Sequence, residues 1–331
     1  MRPPEPDSDE TVRVLAGPRR RSRVSLAAAA LLVAAVAGSA AVWLLWPDVG
    51  LAPVATSALV APAAAPEFQV RTATEDEISQ HIPTALTVFR FADNPHILVL
   101  DFASLHEQGK TLNRMAAFVE KAHLTHDRPL TDRELDAAVS AQGGTADTYY
   151  FGHDYAAASL SRFFALADSL RIELDPEEEK LRALLQQEGL LAPGALAALI
   201  SVPAVGSDPQ ITQEARSVIL RHELSHGEFF SNPEYAEYVR RFWMTELTGE
   251  ERGAVRSFLG RQDYDVREED LMYNEMQAYL MFTRAPIFFT PDMVGMSQQR
   301  LAELRARFLA GMPAGWLRDV LARLETPSSV P

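Results

Sequence analysis

The sequence predicts an α+β protein that is mostly helical, with a small N-terminal β element, a helical core after it and one transmembrane helix ahead of both. Three observations predict it. An uncharged apolar run over 24–46 follows the basic cluster Arg19-Arg20-Arg21-Ser22-Arg23. Two segments rich in Val, Ile, Leu and Phe, 85–91 and 96–102, flank the turn-forming Ala92-Asp93-Asn94-Pro95. Beyond them, apolar residues recur at helical spacing and capping signals punctuate the chain to its end.

The apolar run is long enough to cross a ~30 Å hydrocarbon core as one helix. Trp43 and Trp46 suit an interface, and Pro47-Asp48 closes the run. Arginines on its N-terminal side place residues 1–23 in the cytoplasm and the chain after Pro47 outside it. A cleaved signal peptide is the rival reading, with Gly38 and Ala40 near a possible cut, but the apolar run exceeds a usual ~7–15-residue signal core. Residues 47–67 are rich in Ala and Pro and read as a semi-extended linker. The expected organisation is therefore a basic tail (1–23), an anchor (24–46), a linker (47–67) and an extracytoplasmic domain (68–331). That is a single-pass protein of a bacterial inner membrane, with its main domain in the periplasm.

Composition excludes several chemistries. The chain has no cysteine, which removes disulfides, iron–sulfur clusters, thiolate zinc sites and cysteine nucleophiles together. Residues 1–23 hold six of the 31 basic residues and four of the 45 acidic ones, so the remainder carries a formal charge of −16. A domain that acidic is unsuited to binding a phosphate backbone, and nucleic acid is set aside as a partner.

Helices are expected over 106–122, from Thr131 (whose Glu134 completes a capping box), over 154–170 and over 176–190. The Gly143-Gly144-Thr145 loop precedes Thr148-Tyr149-Tyr150-Phe151, which reads as a short edge strand able to receive a substrate strand, or as an ordinary connection. Ser207-Asp208-Pro209 then reads as the cap of a helix in which Ile211, Ala215, Val218, Ile219, His222 and His226 share one side.

That helix carries His222-Glu223-Leu224-Ser225-His226. Imidazoles at i and i+4 stand ~6 Å apart on one face, close enough to converge on one zinc ion at ~2.0–2.1 Å. Glu223, one position along, is placed to serve as a base toward water without binding the ion. A third ligand is needed. The pattern His-x-x-Gly-x-x-His fails, because Phe229 and Asn232 occupy the required positions. Further helices begin at Asn232-Pro233 and at Thr248, whose capping box is completed by Glu251, and a segment from about 266 to 283 follows. In that segment Leu271, Met272, Glu275, Ala278, Tyr279 and Phe282 share a face, and a carboxylate inside an apolar stripe is costly unless paired or metal-bound. Glu275 is thus either the third ligand or the partner of an arginine, Arg221 or Arg240.

These residues resemble the gluzincin class of zinc metallopeptidases. There a His-Glu-x-x-His helix gives two ligands and a glutamate of a later helix gives the third. The resemblance covers about 209–283 and implies a single zinc ion on His222, His226 and Glu275, with Glu223 as general base. It also implies a peptide or protein substrate, here one in the cell envelope. Where several members of the class have an acidic residue four positions after the ligand glutamate, this chain has Tyr279. Tyr279, Tyr149, Tyr150 and His153 are the candidates for stabilising an oxyanion. His81, His96, His106, His123 and His126 are isolated and read as structural or surface groups. The expected function is a membrane-anchored zinc hydrolase, most simply a peptidase. The alternative is a non-catalytic envelope protein, binding or scaffolding, with a structural or vestigial metal site.

Overall fold

The computed structural model describes residues 68–141 and 143–326; the expected tail, anchor and linker lie outside the described residues. Among the described residues no helix is long and apolar enough to cross a membrane.

The protein is mostly helical α+β with a small five-stranded sheet. Strand β1 (Val70–Ala73) leads into helix α1 (Glu75–Gln80), capped by the Thr74/Glu77 box. Strands β2 (Thr87–Phe91) and β3 (Ile97–Phe102) form the expected antiparallel hairpin around 92–95. Helices α2 (Leu105–Val119) and α3 (Asp132–Ala141) follow, then strand β4 (His153–Ala156). Helices α4 (Ala157–Leu170) and α5 (Pro176–Gln187) precede strand β5 (Ala198–Pro203). The rest is helical: α6 (Gln213–Ser231), α7 (Pro233–Thr245), α8 (Gly249–Arg261), α9 (Glu269–Gln277), α10 (Gln298–Gly311) and α11 (Trp316–Glu325). A π-helical segment, Ala278–Phe282, continues α9 directly.

The β element is not confined to the N-terminus as the sequence suggested. Strand order is β1-β2-β3-β5-β4, so strands from the middle of the chain complete the sheet. Strand β5 runs parallel to β3, and β4 pairs antiparallel with β5 at one edge. Both β3 and β5 are buried on both faces and, apart from Asp101 and Ser201, read as apolar runs without alternation. The edge strand was expected at 148–151 but forms at His153–Ala156, and the helix expected from Asp154 starts only at Ala157. Residues 146–148 instead make a short 3₁₀ turn.

Alternate side chains divide between the two sheet faces, as the two-residue strand period requires. Leu98, Leu100 and Leu199 join the core beneath α2, α4 and α5, while Val99, Ile200 and Val202 pack against Leu220 and Leu224 of α6. Helix α6 can approach the sheet closely at Gly227, where a Cβ would stand 2.8 Å from Ile97 Cδ1. A buried ion pair fixes the same helix: Arg216 donates to both carboxylate oxygens of Asp101 on β3, each at 2.9 Å, and Asp101 also takes His81 Nδ1 at 2.6 Å. Arg216 further donates to the carbonyls of Ile78 and Ser79.

The first turn of α6 lies later than the sequence suggested. Asp208 closes its own turn by accepting from the Gln210 amide, and Thr212 caps the helix by accepting from the Ala215 amide. The remaining capping signals operate where expected: Thr131/Glu134, Asn232 before Pro233, and the Thr248/Glu251 box.

Candidate metal centre

Helix α6 crosses beneath the sheet edge and presents His222, Glu223 and His226 toward α9. The two helices are tied together beside the site. Gln277 donates to Ser225 Oγ at 3.1 Å while accepting from the Tyr235 hydroxyl of α7 at 2.8 Å. This link sets Glu275, half a turn earlier on α9, against the two imidazoles.

The ring nitrogens His222 Nε2 and His226 Nε2 stand 3.1 Å apart, and Glu275 reaches them at 3.9 Å (Oε2) and 3.7 Å (Oε1). Ligands around a tetrahedral zinc at ~2.0–2.1 Å are about 3.3 Å from one another, so the three atoms approach the spacing one ion imposes. His222, His226 and Glu275 thus form one group of side chains that could hold a metal ion, all of them buried. Neither arginine proposed as an alternative partner for Glu275 reaches it: Arg221 pairs with Glu75 at 2.7 Å, and Arg240 pairs with Glu237 at 2.7 Å and the Tyr273 hydroxyl. Glu275 Oε2 is buried without a hydrogen-bond partner.

The π-helical segment supplies a residue that the sequence reading missed. Its Thr283 amide bonds back to the Ala278 carbonyl, five residues earlier, so the helix turns more widely there. That turn brings the Thr283 hydroxyl to 2.8 Å from His222 Nδ1. The hydroxyl also reaches the Ala278 carbonyl at 3.0 Å; donating there, it can accept from His222 Nδ1–H. In that arrangement His222 presents a lone pair at Nε2, the tautomer a metal requires. Tyr279 does not take this role. Its ring packs edge-on against His222, centroids 4.8 Å apart, and its hydroxyl bonds Tyr264.

Strand β4 supplies a second missed residue, Asp154. Its carboxylate lies 3.8 Å from His226 Nδ1, and Asp154, Glu223 and His226 make a second group, with ligand atoms all within 4.8 Å of one another, that shares one histidine with the first. No spacing in the sequence links residue 154 to 226; only the antiparallel pairing of β4 with β5, above α6, does so. Gly152, just ahead of β4, lies against Glu223. A Cβ there would stand 2.1 Å from Glu223 Oε1, so the backbone lies against that carboxylate and only glycine fits.

The electrostatics are one-sided. Burial pushes the Glu223 carboxyl well above its ordinary value, and the negative neighbours Asp154, Glu275 and Glu120 push it further. Burial likewise raises Glu275, Asp154 and Glu120. His222 is driven well below the ordinary imidazole value by burial, then by His226 beside it. Buried carboxyls gathered in one place are costly without a cation, and a divalent ion offsets that cost directly. With no thiolate available and two imidazoles plus carboxylate oxygen present, the donor set suits zinc.

The oxyanion candidates lie behind Glu223. Tyr149 and Tyr150 are buried under the Lys121 ammonium, which stands 4.8 and 4.4 Å from their ring centroids. Burial, then Lys121, lowers His153 to about 3, so it is neutral near pH 7. Its Nδ1 lies 2.8 Å from the Tyr155 hydroxyl, and its Nε2 is buried without a hydrogen-bond partner. Of the isolated histidines, His81 joins the Asp101 network, His106 faces Asp147 at 3.0 Å and His126 bonds the Lys121 carbonyl at 3.0 Å.

A cleft of about 570 Å³ opens beside the centre, with Glu120, Asp154, Phe229, Phe230 and Asn274 among its walls. The two histidines lie behind that wall: His226 is 0% exposed and His222 2%.

No family model, curated protein or solved structure matches this chain. Functional assignment therefore rests on the side chains alone.

Proposed function

We propose that this protein is a zinc-dependent hydrolase, most simply a peptidase of gluzincin type, carried by an N-terminal membrane anchor on the outer face of a bacterial inner membrane. One observation carries the reading: two imidazole nitrogens and one carboxylate, from helices that are distant in sequence, converge within 3.9 Å beside Glu223, whose Oε2 is buried without a hydrogen-bond partner. When bound, zinc supplies a Lewis acid that polarises a carbonyl and makes water more acidic. His222 and His226 would hold it through Nε2, and Glu275 through its carboxylate. Glu223 Oε2, buried and without a partner, takes the proton from water and passes it to the leaving amine nitrogen. A carboxyl raised by burial holds that proton more firmly than a solvated one, which suits delivery to an amine near neutral pH. Substrate would enter by the cleft and pass Asp154, along the free side of strand β4.

The near-complete burial of all four residues favours a second reading, in which the metal is structural and the protein binds or scaffolds in the envelope. The two readings separate on Glu223→Gln in the full-length protein. A hydrolase loses peptide turnover and keeps its zinc. If neither the wild type nor the variant cleaves a mixed peptide library and chelation lowers Tm, the structural reading stands.

A further inference from the structure

We propose that the cleft beside the candidate centre selects peptides with a lysine or arginine next to the bond that is cut, and that Glu120 and Asp154 recognise its charge. The proposal rests on the peptidase reading above and gives it a substrate class.

The cleft, about 570 Å³, has room for a long side chain, and its walls divide by chemistry. Phe118, Phe229 and Phe230 supply aromatic surface, against which the methylene stem of a lysine or arginine packs. The charges are mostly negative: Glu120, Asp154, Glu268 and Asp270 line the cleft, and Arg162 is the one lysine or arginine among its walls. Arg162 is already engaged. It donates to the His126 carbonyl and lies 4.8 Å from the centroid of the Phe118 ring, so a cation of this chain already rests on the aromatic wall. His126 Nε2 bonds the Lys121 carbonyl.

Glu120 is the residue most in need of a cation. It is the C-cap of α2, at the negative end of the helix dipole, and it is 5% exposed. Its carboxylate is in no ion pair among the described residues, and the Tyr150 hydroxyl beside it is buried without a hydrogen-bond partner. The neighbouring Lys121 ammonium lies over the Tyr149 and Tyr150 rings and is not among the cleft walls. A carboxylate buried in this way is costly, and a cation brought by a ligand removes that cost. Asp154 links Glu120 to the centre: it lines the same cleft and stands 3.8 Å from His226 Nδ1. With a divalent ion at the two histidines, two of the four carboxylates Glu120, Asp154, Glu223 and Glu275 are balanced. The pair in the cleft wall is left facing the ligand. A lysine ammonium stands ~6 Å from its own Cα, so a side chain anchored there holds its own peptide bonds close to the centre.

The test uses full-length, zinc-loaded protein and short peptides blocked at both ends, in which one lysine moves along an alanine chain. Each is matched by a norleucine peptide, which keeps the stem and lacks the ammonium. Calorimetry on Glu223→Gln reads binding, and mass spectrometry with the wild type reads cleavage. The lysine peptides should bind about 10–100-fold more tightly than their norleucine partners, the range of one charge-assisted bond made away from water, and cuts should fall next to the lysine. Adding Glu120→Gln, which keeps the shape and removes a buried charge, should bring that ratio to about threefold or less with bound zinc unchanged. Equal binding of the two peptide sets overturns the proposal, as does an unchanged ratio with Glu120→Gln or an absence of binding by every peptide. A preference that appears only with an unblocked N-terminus assigns the cation to the terminal amine and overturns it too. Cleavage without lysine preference leaves the peptidase reading standing, whereas lysine-selective binding without cleavage keeps the cationic site and removes the peptidase.

Discussion

Thr283→Val replaces a hydroxyl with a methyl of nearly the same size, and so removes its two hydrogen bonds, to His222 and to the Ala278 carbonyl, while leaving the packing around the π-helical segment in place; the carbonyl keeps the Thr283 amide as a donor. In the metal-free protein His222 Nδ1–H, buried and 2.8 Å from that hydroxyl, loses its acceptor. An unpaired buried donor costs about 1–3 kcal/mol. The larger effect is on metal affinity. With nothing to hold the Nδ1–H tautomer, Nε2 is no longer reserved as a lone pair and the ring is free to turn. Losing such a partner weakens metal binding about 10–100-fold, which corresponds to about 1.4–2.7 kcal/mol. Competitive titration of zinc against a chromophoric chelator reads this directly. Thr283→Ser keeps the hydroxyl and should bind within a few-fold of wild type, which separates loss of the bond from loss of the methyl. Equal affinity in Thr283→Val and wild type would mean that His222 does not bind metal through Nε2, and the tautomer argument would collapse.

Three further outcomes are expected. Gly152→Ala places a methyl 2.1 Å from Glu223 Oε1, so the carboxylate must shift by about 1 Å; peptide turnover should drop ~100-fold while bound zinc is unchanged, and full turnover would remove Glu223 as the base. Burial raises Glu120, Asp154, Glu223 and Glu275, which costs stability as pH rises above the ordinary carboxylate range, while it lowers His222 and His153, which gains stability as pH rises through the ordinary imidazole value. The carboxyl effect is read by difference: without metal, Glu275→Gln should raise Tm more near pH 8 than near pH 5, and an equal gain at both would contradict the burial account. Arg216→Met strands the fully buried Asp101 and should cost about 3–5 kcal/mol, or about 6–20 °C in Tm, measured by calorimetry on the metal-free protein. A shift under 2 °C would show that the pair does not hold α6 to the sheet.

How much of this was legible in the sequence follows from which interactions are local. The hairpin at 92–95 and the caps at Thr131, Asn232 and Thr248 depend on residues within four positions of one another, and short-range chemistry specifies them. Strand β5 was missed because Ala198–Pro203 is buried on both faces, and an apolar run without alternation carries no period to distinguish strand from helix. The cap of α6 was misplaced because Asp208-Pro209 makes a good turn as readily as a good helix start, and Thr212 competes for the same role. Within the site, His222 and His226 are joined by helical spacing, and Glu275 was visible as a charge in an apolar stripe. Asp154 and Thr283 carried no such sign. The first reaches His226 through sheet pairing, and the second reaches His222 only because the helix widens by one residue at Ala278.

The convergence of α6 and α9 on one cation is tested most directly by counting zinc per chain in the full-length protein, wild type against Glu275→Ala, after dialysis against a weak chelator. The predicted result is one zinc in the wild type and a small fraction of that in the variant. The same zinc content in both samples would remove Glu275 from the coordination sphere, and an absence of zinc from both would contradict a metal centre at this site.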